Sequence, residues 1–447
     1  MTTENTSTTQ GPARAGWLFT GGLFESLPTL LRGLGATILI VSVSVFLFQG
    51  WDSGNDIYRY ALLLMHTAGL AAVGFLSGHW IREGKGARLL LALALASVPA
   101  NFAILGGFVY SQFGWLAADA VYPSVVNWRA DDPVSALVTV GIASAALLPV
   151  IWLGFLVLAR RSALQLSALF ALSNVLLLVP LRNAAVIGWV LLALTGLLVW
   201  QLARARRADS SLRTVEGAIA RGLQFLPLGV MVGRTLWLYS ADAFLFTALC
   251  LTAFLLLRHL SLQLPVDRRL RSYTELAGLL PASGAAVGAA AILADTLPLA
   301  SVDVWLLPVA ALSLAALALE TSLRVGERGA AYRRLAAAVL SIALLANLLL
   351  FGGVLAAALC LIAGLAILIY GYSVEQRLVF ALGALTLLVG IAHQVQLAVE
   401  IFHLGSWGSL ALLGVAAILI GSGIERFGGQ MRLRIESWGR RIRDWEN

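Results

Sequence analysis

The side chains best able to do chemistry in this sequence are a few polar residues that stand inside long apolar runs. They are two histidines, three asparagines and one glutamine: His66, Asn101, Asn174, Asn347, His393 and Gln394. Polar groups buried without partners cost free energy, so such residues mark either hydrogen bonds between elements or the lining of a cavity. Both interpretations stay open here, and the second predicts a path for a substrate.

The most polar of these stretches is HQVQLAVEIFH, which runs from His393 to His403. It combines two histidines, two glutamines and Glu400, the kind of groups that a proton-coupled or polar-substrate site needs. The alternative is the end of a membrane helix, where the same residues would meet water.

These residues do not form the patterns expected of a haem site, a metal site or an enzyme active site. His66 and His79 are 13 positions apart, but His393 and His403 are 10 apart and do not supply the matching pair that a two-haem site needs. The two cysteines lie in separate apolar runs without a metal-binding spacing. No GxSxG, HExxH or P-loop motif occurs in a suitable context. We therefore expect no catalytic residue, cofactor or metal.

The elements that position these residues must be membrane-spanning helices. The 447 residues are 60% hydrophobic and 12% charged, whereas an ordinary soluble domain is about 25% charged. The apolar residues form runs of about 20, the length of a helix that crosses a bilayer. They do not alternate with polar residues, as barrel strands do. The predicted fold class is therefore all-α, a polytopic transmembrane helix bundle.

The runs predict fourteen spans, with twelve as the alternative if one hairpin with a very short turn is lost. Residues 1–29 are predicted to form a tail and interfacial segment, 30–424 the bundle, and 425–447 a basic tail. The approximate bounds of the spans are 30–49, 57–80, 88–112, 134–158, 161–180, 184–203, 219–238, 241–258, 275–294, 303–321, 333–351, 353–371, 376–398 and 406–424.

The basic residues predict the orientation of the chain. With the N-terminus in the cytoplasm, the 31 lysines and arginines fall in cytoplasmic connections except for Arg59, Arg129, Arg182 and Arg234. This is the positive-inside distribution, and it also explains the net charge of +8 without nucleic acid as a partner. Both termini are then cytoplasmic. Abundant Arg, Ala, Gly and Leu with a single lysine indicate a bacterial genome of high GC content.

The tail after Glu425 is predicted to be an amphipathic helix on the cytoplasmic membrane surface. Its apolar residues recur at helical spacing, with arginines between them that would meet anionic lipid headgroups. A membrane-protein partner is the alternative ligand of this helix. The predicted surface residues are Arg432, Arg434, Trp438, Arg440, Arg441 and Trp445.

An internal repeat is predicted at an offset of 246 residues. Three dipeptides recur in the same order: Arg88-Leu89, Ala100-Asn101 and Gly106-Gly107, then Arg334-Leu335, Ala346-Asn347 and Gly352-Gly353. Both asparagines follow their arginine by 13 positions, as Asn174 follows Arg161, which is about 20 Å along a helix. Their equal orientation predicts a parallel duplication, an arrangement that transporters use.

Two stretches, 74–107 (GFLSGHWIREGKGARLLLALALASVPANFAILGG) and 406–427 (SWGSLALLGVAAILIGSGIERF), resemble segments of uncharacterised polytopic bacterial membrane proteins. The resemblance implies a bacterial inner-membrane location and no particular activity, fold detail or ligand.

Two function classes follow from the sequence. The first is a transporter or flippase, and the absence of Asp, Glu or Lys at the centre of any predicted span favours an apolar or amphipathic substrate over an ion. The second is a structural, assembly or sensory membrane subunit that binds a protein partner through its basic tail.

Overall fold

The computed structural model describes residues 17–48, 55–80, 84–113, 128–179, 183–238, 242–264, 269–297, 302–401 and Ile418. Over these residues the fold is all-α. The helices are α1 (Trp17–Phe48), α2 (Asp56–His79), α3 (Gly84–Phe113), α4 (Pro133–Leu158), α5 (Ala163–Val175), α6 (Ala184–Ala208), α7 (Val215–Leu223), α8 (Leu226–Leu238), α9 (Ala243–Gln263), α10 (Arg269–Thr296), α11 (Asp303–Ser322), α12 (Gly329–Phe351), α13 (Gly353–Ser373) and α14 (Arg377–Ile401).

Thirteen helical segments within the described residues are long and apolar enough to cross a membrane. They correspond to the first thirteen predicted spans, so the prediction of an all-α polytopic membrane protein is confirmed. Short 3₁₀ turns extend α5 into one segment, Arg160–Leu178, and α7 and α8 together form another, Val215–Leu236. Apart from Ile418, the fourteenth predicted span lies outside the described residues, as does the basic tail with its six predicted surface residues.

The structure differs from the predicted spans at two places. Helix α1 begins at Trp17, well before the predicted start at residue 30, and its membrane-crossing part covers Leu27–Leu47. The predicted span 219–238 is not one continuous helix, because the chain turns at Gln224 and Phe225 between α7 and α8. Hydropathy did not reveal this break, since apolar residues flank it on both sides.

The chain divides into two compact units. Unit 1 contains residues 1–182 and 197–239, and unit 2 contains 183–196 and 240–447. Unit 1 packs α1 to α4 around an aromatic cluster, in which the ring of Tyr60 meets Phe108 edge-on with centroids 5.8 Å apart. The Arg59 guanidinium lies over the Trp128 ring at 4.5 Å, which ties the start of α4 to α2.

Unit 2 brings α13 and α14 into backbone contact through small residues. A Cβ built on Gly371 would lie 2.4 Å from the backbone nitrogen of Phe380, and one on Gly364 would lie 2.6 Å from that of Leu387. Apolar attraction between helices is weak in lipid, so close van der Waals contact of this kind supplies much of the association. These glycines are therefore packing residues.

The two glycine pairs of the predicted repeat have different structures. Gly106 and Gly107 lie inside α3, which continues to Phe113. Gly352 and Gly353 have positive φ angles of 60° and 76° and form the tight turn between α12 and α13, a conformation that L side chains rarely adopt. The likeness between the two copies therefore covers the helices that carry Asn101 and Asn347 and ends at the glycine pairs.

Candidate functional site

A small cavity in unit 1 contains the first predicted site residue, His66. Side chains of α1, α2 and α3 enclose about 160 Å³ there, and the polar ones are Ser44, His66 and Ser97. The Nε2 atom of His66 is buried and makes no hydrogen bond to any described residue. The other lining side chains are apolar, so a cavity of this size can hold a few water molecules or a small amphipathic group beside its polar atoms.

Asn101 stands next to this cavity and is completely buried. Its Nδ2 atom donates to the hydroxyl of Thr67 and to the carbonyl of Ser97, both at 2.9 Å. Its Oδ1 atom is buried and has no partner in the described part of the chain. Because Thr67 is adjacent to His66 and Ser97 lines the cavity, Asn101 and His66 belong to one polar neighbourhood.

Helix α5 carries a second row of polar contacts in unit 1. Asn174 is completely buried, and its Nδ2 atom donates to the carbonyl of Phe170 at 2.8 Å. One turn earlier, the Nε2 atom of Gln224 donates to the carbonyl of Leu166 at 3.0 Å. The Asn174 Oδ1 and Gln224 Oε1 atoms are both buried without a hydrogen bond from the described residues.

Arg234 of α8 binds the carbonyls at the end of the helical segment that contains α5. Its Nη1 atom donates to the carbonyl of Leu177 at 2.7 Å, and its Nη2 atom to that of Val179 at 3.4 Å. The last carbonyls of a helix lack partners and carry partial negative charge, so a cation stabilises them. Gly106 makes room for this contact, since a Cβ there would lie 2.1 Å from the Leu177 oxygen. Arg234 is thus a capping residue.

The remaining predicted site residues lie in unit 2. Asn347 is completely buried in α12, and neither polar atom of its side chain has a hydrogen-bond partner among the described residues. On α14 the Nε2 atom of His393 is likewise buried and unpartnered within that part of the chain. Gln394 has a structural contact, because its Nε2 atom donates to the carbonyl of Val354 at 3.2 Å and joins α14 to the start of α13.

The structure therefore groups His66, Asn101 and Asn174 in unit 1, and Asn347, His393 and Gln394 in unit 2. Two residues that share the buried polar environment were missed by the sequence analysis, Thr67 and Gln224. A glutamine inside an apolar run is a signal that could have revealed Gln224. Nothing in the sequence singles out Thr67, because threonine is common in membrane helices and usually bonds its own helix.

A buried carboxylate ties two connections together at the end of unit 1 where α4 and α6 finish. Asp209 accepts hydrogen bonds from the Ser162 hydroxyl at 2.7 Å and from the backbone nitrogen and hydroxyl of Ser211 at 2.9 and 2.7 Å. The hydrogen bonds from Ser162 and then from Ser211 lower the pKa of Asp209, and the charge of Arg161 adds to this effect. The ionised carboxylate therefore holds the two connections in place.

Replacing Asp209 with asparagine is expected to lower stability at pH 7 by about 1 kcal/mol, because charge-assisted hydrogen bonds are lost. The pKa in the folded protein lies below the value of about 3.9 in the unfolded chain. The contribution is therefore present above about pH 4 and disappears as the pH falls through the folded pKa. Thermal unfolding of both proteins at pH 7 and pH 3 checks this: the difference should be smaller at pH 3 than at pH 7.

Asp295→Asn is the matched control for this measurement, since Asp295 is exposed and makes no hydrogen bond within the described residues. A pH-independent difference for Asp209→Asn would mean that the shape of the side chain matters and its charge does not.

Comparisons of the chain with protein-family models, with curated proteins and with solved structures found no match. Within the described residues no group of three or more His, Cys, Asp or Glu side chains is arranged to hold a metal ion. The functional argument therefore rests on the geometry of the polar residues.

Proposed function

We propose that this integral membrane protein is a transporter or flippase of apolar or amphipathic molecules, and that the polar interior of unit 1 forms part of the substrate path. The observation that carries the proposal is the cavity beside His66 together with the buried atoms His66 Nε2 and Asn101 Oδ1, which lack partners among the described residues. In lipid such atoms cost several kcal/mol each unless water or a ligand binds them. A path that admits a partly polar molecule supplies those partners.

The chemistry of the interior supports an amphipathic cargo. The side chains around His66 and Asn101 are hydrogen-bonding groups set among leucine, valine and alanine. A path for ions needs buried acids or lysines, and the described residues that line this cavity include neither. Within unit 2, Asn347 and the Nε2 atom of His393 offer further buried hydrogen-bonding groups that have no partner among the described residues, and we propose them as substrate-path residues of that unit.

The proposed setting is a bacterial inner membrane with both termini in the cytoplasm. The support is the distribution of arginines in unit 1. Arg88, Arg160 and Arg161 line connected hollows at the end where α3 begins and α4 finishes. Arg59 and Arg129 stand at the other end of α2 and α4, where Asp56 accepts hydrogen bonds from the Arg59 guanidinium and from the backbone nitrogen of Arg129. The end where α3 begins therefore has more arginine side chains without a carboxylate partner, as the positive-inside rule expects for the cytoplasmic side.

The test is lipid translocation by the purified full chain in vesicles. A fluorescent short-chain phospholipid in the inner leaflet is protected from a membrane-impermeant quencher until it is flipped. We expect quenching to be faster with the protein than in protein-free vesicles. Asn101→Leu should slow it about tenfold, since one hydrogen bond between uncharged groups is worth about 1–1.5 kcal/mol. His66→Leu, which removes the other unpartnered polar atom, should act in the same direction.

Ser173→Ala is the matched control, because Ser173 is also completely buried but donates to the Leu169 carbonyl of its own helix. Its flipping rate should equal that of the unchanged protein. Quenching no faster than in protein-free vesicles would reject the transport proposal. A protein partner that co-purifies at fixed stoichiometry would then favour the second function class, whose basic tail lies outside the described residues.

A further inference from the structure

Two adjoining hollows open at the end of unit 1 where α3 begins. The first has a volume of about 370 Å³ and is mostly apolar, with Gly74 and Phe75 of α2 and Leu91 of α3 in its walls. The second has a volume of about 360 Å³, and charged or hydroxyl side chains stand among the apolar groups of its wall. Arg88 and Val157 line both hollows. We call the pair the arginine groove.

The charged side chains in the wall of the second hollow are three arginines and one glutamate. Arg88 is paired with Glu216 at 2.5 Å, and both side chains are partly exposed. Arg160 and Arg161 are exposed, and they make neither a hydrogen bond nor an ion pair with any described residue. The hydroxyls of Ser211 and Thr214 stand in the same wall. These hydroxyls already donate to Asp209 and to the Ser211 carbonyl. Three arginines against Glu216 and the nearby Asp209 still leave an excess of positive charge, and Arg160 and Arg161 supply the donors that a phosphate site needs.

The fold keeps these donors in place. Asp209 binds Ser162 and Ser211, so the turn with Arg160 and Arg161 is joined to the connection that precedes α7. The apolar hollow continues from the arginines along the first two turns of α3. A groove with cations at its mouth and an apolar wall between membrane helices matches the two parts of a phospholipid.

We propose that the arginine groove binds the phosphate group of an anionic phospholipid. Arg160 and Arg161 hold the phosphate oxygens, Arg88 is shared between the phosphate and Glu216, and the apolar hollow takes the beginning of an acyl chain. The site is separate from the cavity at His66. At about 100° per residue, the mean direction of Arg88 and Leu91 on α3 is about 140° from that of Leu93 and Ala96, which line that cavity. The inference therefore does not depend on the transport proposal.

Native mass spectrometry of the full chain in detergent tests the site, with phosphatidylglycerol as the probe and phosphatidylcholine as the reference lipid. The unchanged protein should retain phosphatidylglycerol in preference to phosphatidylcholine. The double variant Arg160→Gln/Arg161→Gln should weaken that binding about tenfold or more, since each arginine near an anionic lipid contributes roughly a fivefold effect. Glu216→Gln should act in the opposite direction and tighten it, because a competing carboxylate is removed and Arg88 is released.

The control variant is Arg207→Gln/Arg213→Gln, which removes the same charge from exposed positions at the same end of unit 1 that do not line the groove. Its affinity should stay within about twofold, the change expected from screened long-range attraction. Equal losses in the two double variants, or no preference for phosphatidylglycerol, would overturn the proposal. Inorganic phosphate is added in a separate arm. If it binds, is lost in Arg160→Gln/Arg161→Gln and excludes the lipid, the site belongs to a soluble phosphate and the lipid assignment is wrong.

Discussion

Replacing Glu275 with glutamine is expected to lower the free energy of unfolding by about 3 kcal/mol, because the change leaves a buried guanidinium without its counter-ion. The Nε atom of Arg271 donates to Glu275 Oε1 at 2.8 Å, one turn apart on α10. The side chains are only 10% and 3% exposed, so water replaces little of the lost interaction. Denaturation in mixed detergent micelles, followed by circular dichroism, measures the loss.

Two further variants show whether burial causes this effect. The double change Arg271→Met/Glu275→Met removes both charges and should recover most of the stability, since apolar residues of similar volume can replace a buried ion pair. Glu216→Gln breaks the exposed pair with Arg88, whose side chains are 47% and 37% exposed, and should cost less than about 1 kcal/mol. A loss of the same size for Glu216→Gln and Glu275→Gln would contradict the explanation by burial.

The second large effect is expected at Gly383, where alanine should destabilise the protein by about 3 kcal/mol. A Cβ at this position would lie 2.3 Å from the backbone nitrogen of Leu368 and 2.7 Å from its Cα. Backbone atoms of a helix cannot turn away as a side chain can, so α13 and α14 would have to separate. The same denaturation measurement in micelles should show an earlier transition.

Gly196→Ala is the matched control, because Gly196 also lies inside a helix of unit 2 but has no atom within 4 Å of a built Cβ. Alanine is the better helix former by about 1 kcal/mol, so this variant should be as stable as the unchanged protein or more so. If both glycine variants were destabilised alike, backbone flexibility and not close packing would explain the role of Gly383.

The sequence alone was sufficient to predict the class of fold and most of the helices. A run of about 20 apolar residues must satisfy its backbone hydrogen bonds internally in lipid, and this leaves a helix as the only solution for a single segment. For that reason the short turn between Phe351 and Gly353 could be placed correctly from hydropathy alone. The same property marked His66 and Asn101 as exceptions within their runs.

The tertiary structure decided which of these exceptions meet and what each one does. The partners of a side chain depend on the rotation of each helix about its own axis and on where helices cross, and hydropathy contains neither quantity. Asn101 thus reaches Thr67 and keeps an oxygen without a partner among the described residues, whereas Gln394 uses its amide to join α14 to α13. The arginine groove depends on the same information, because Arg88 and Arg160 are brought together only by the packing of α3 against α4.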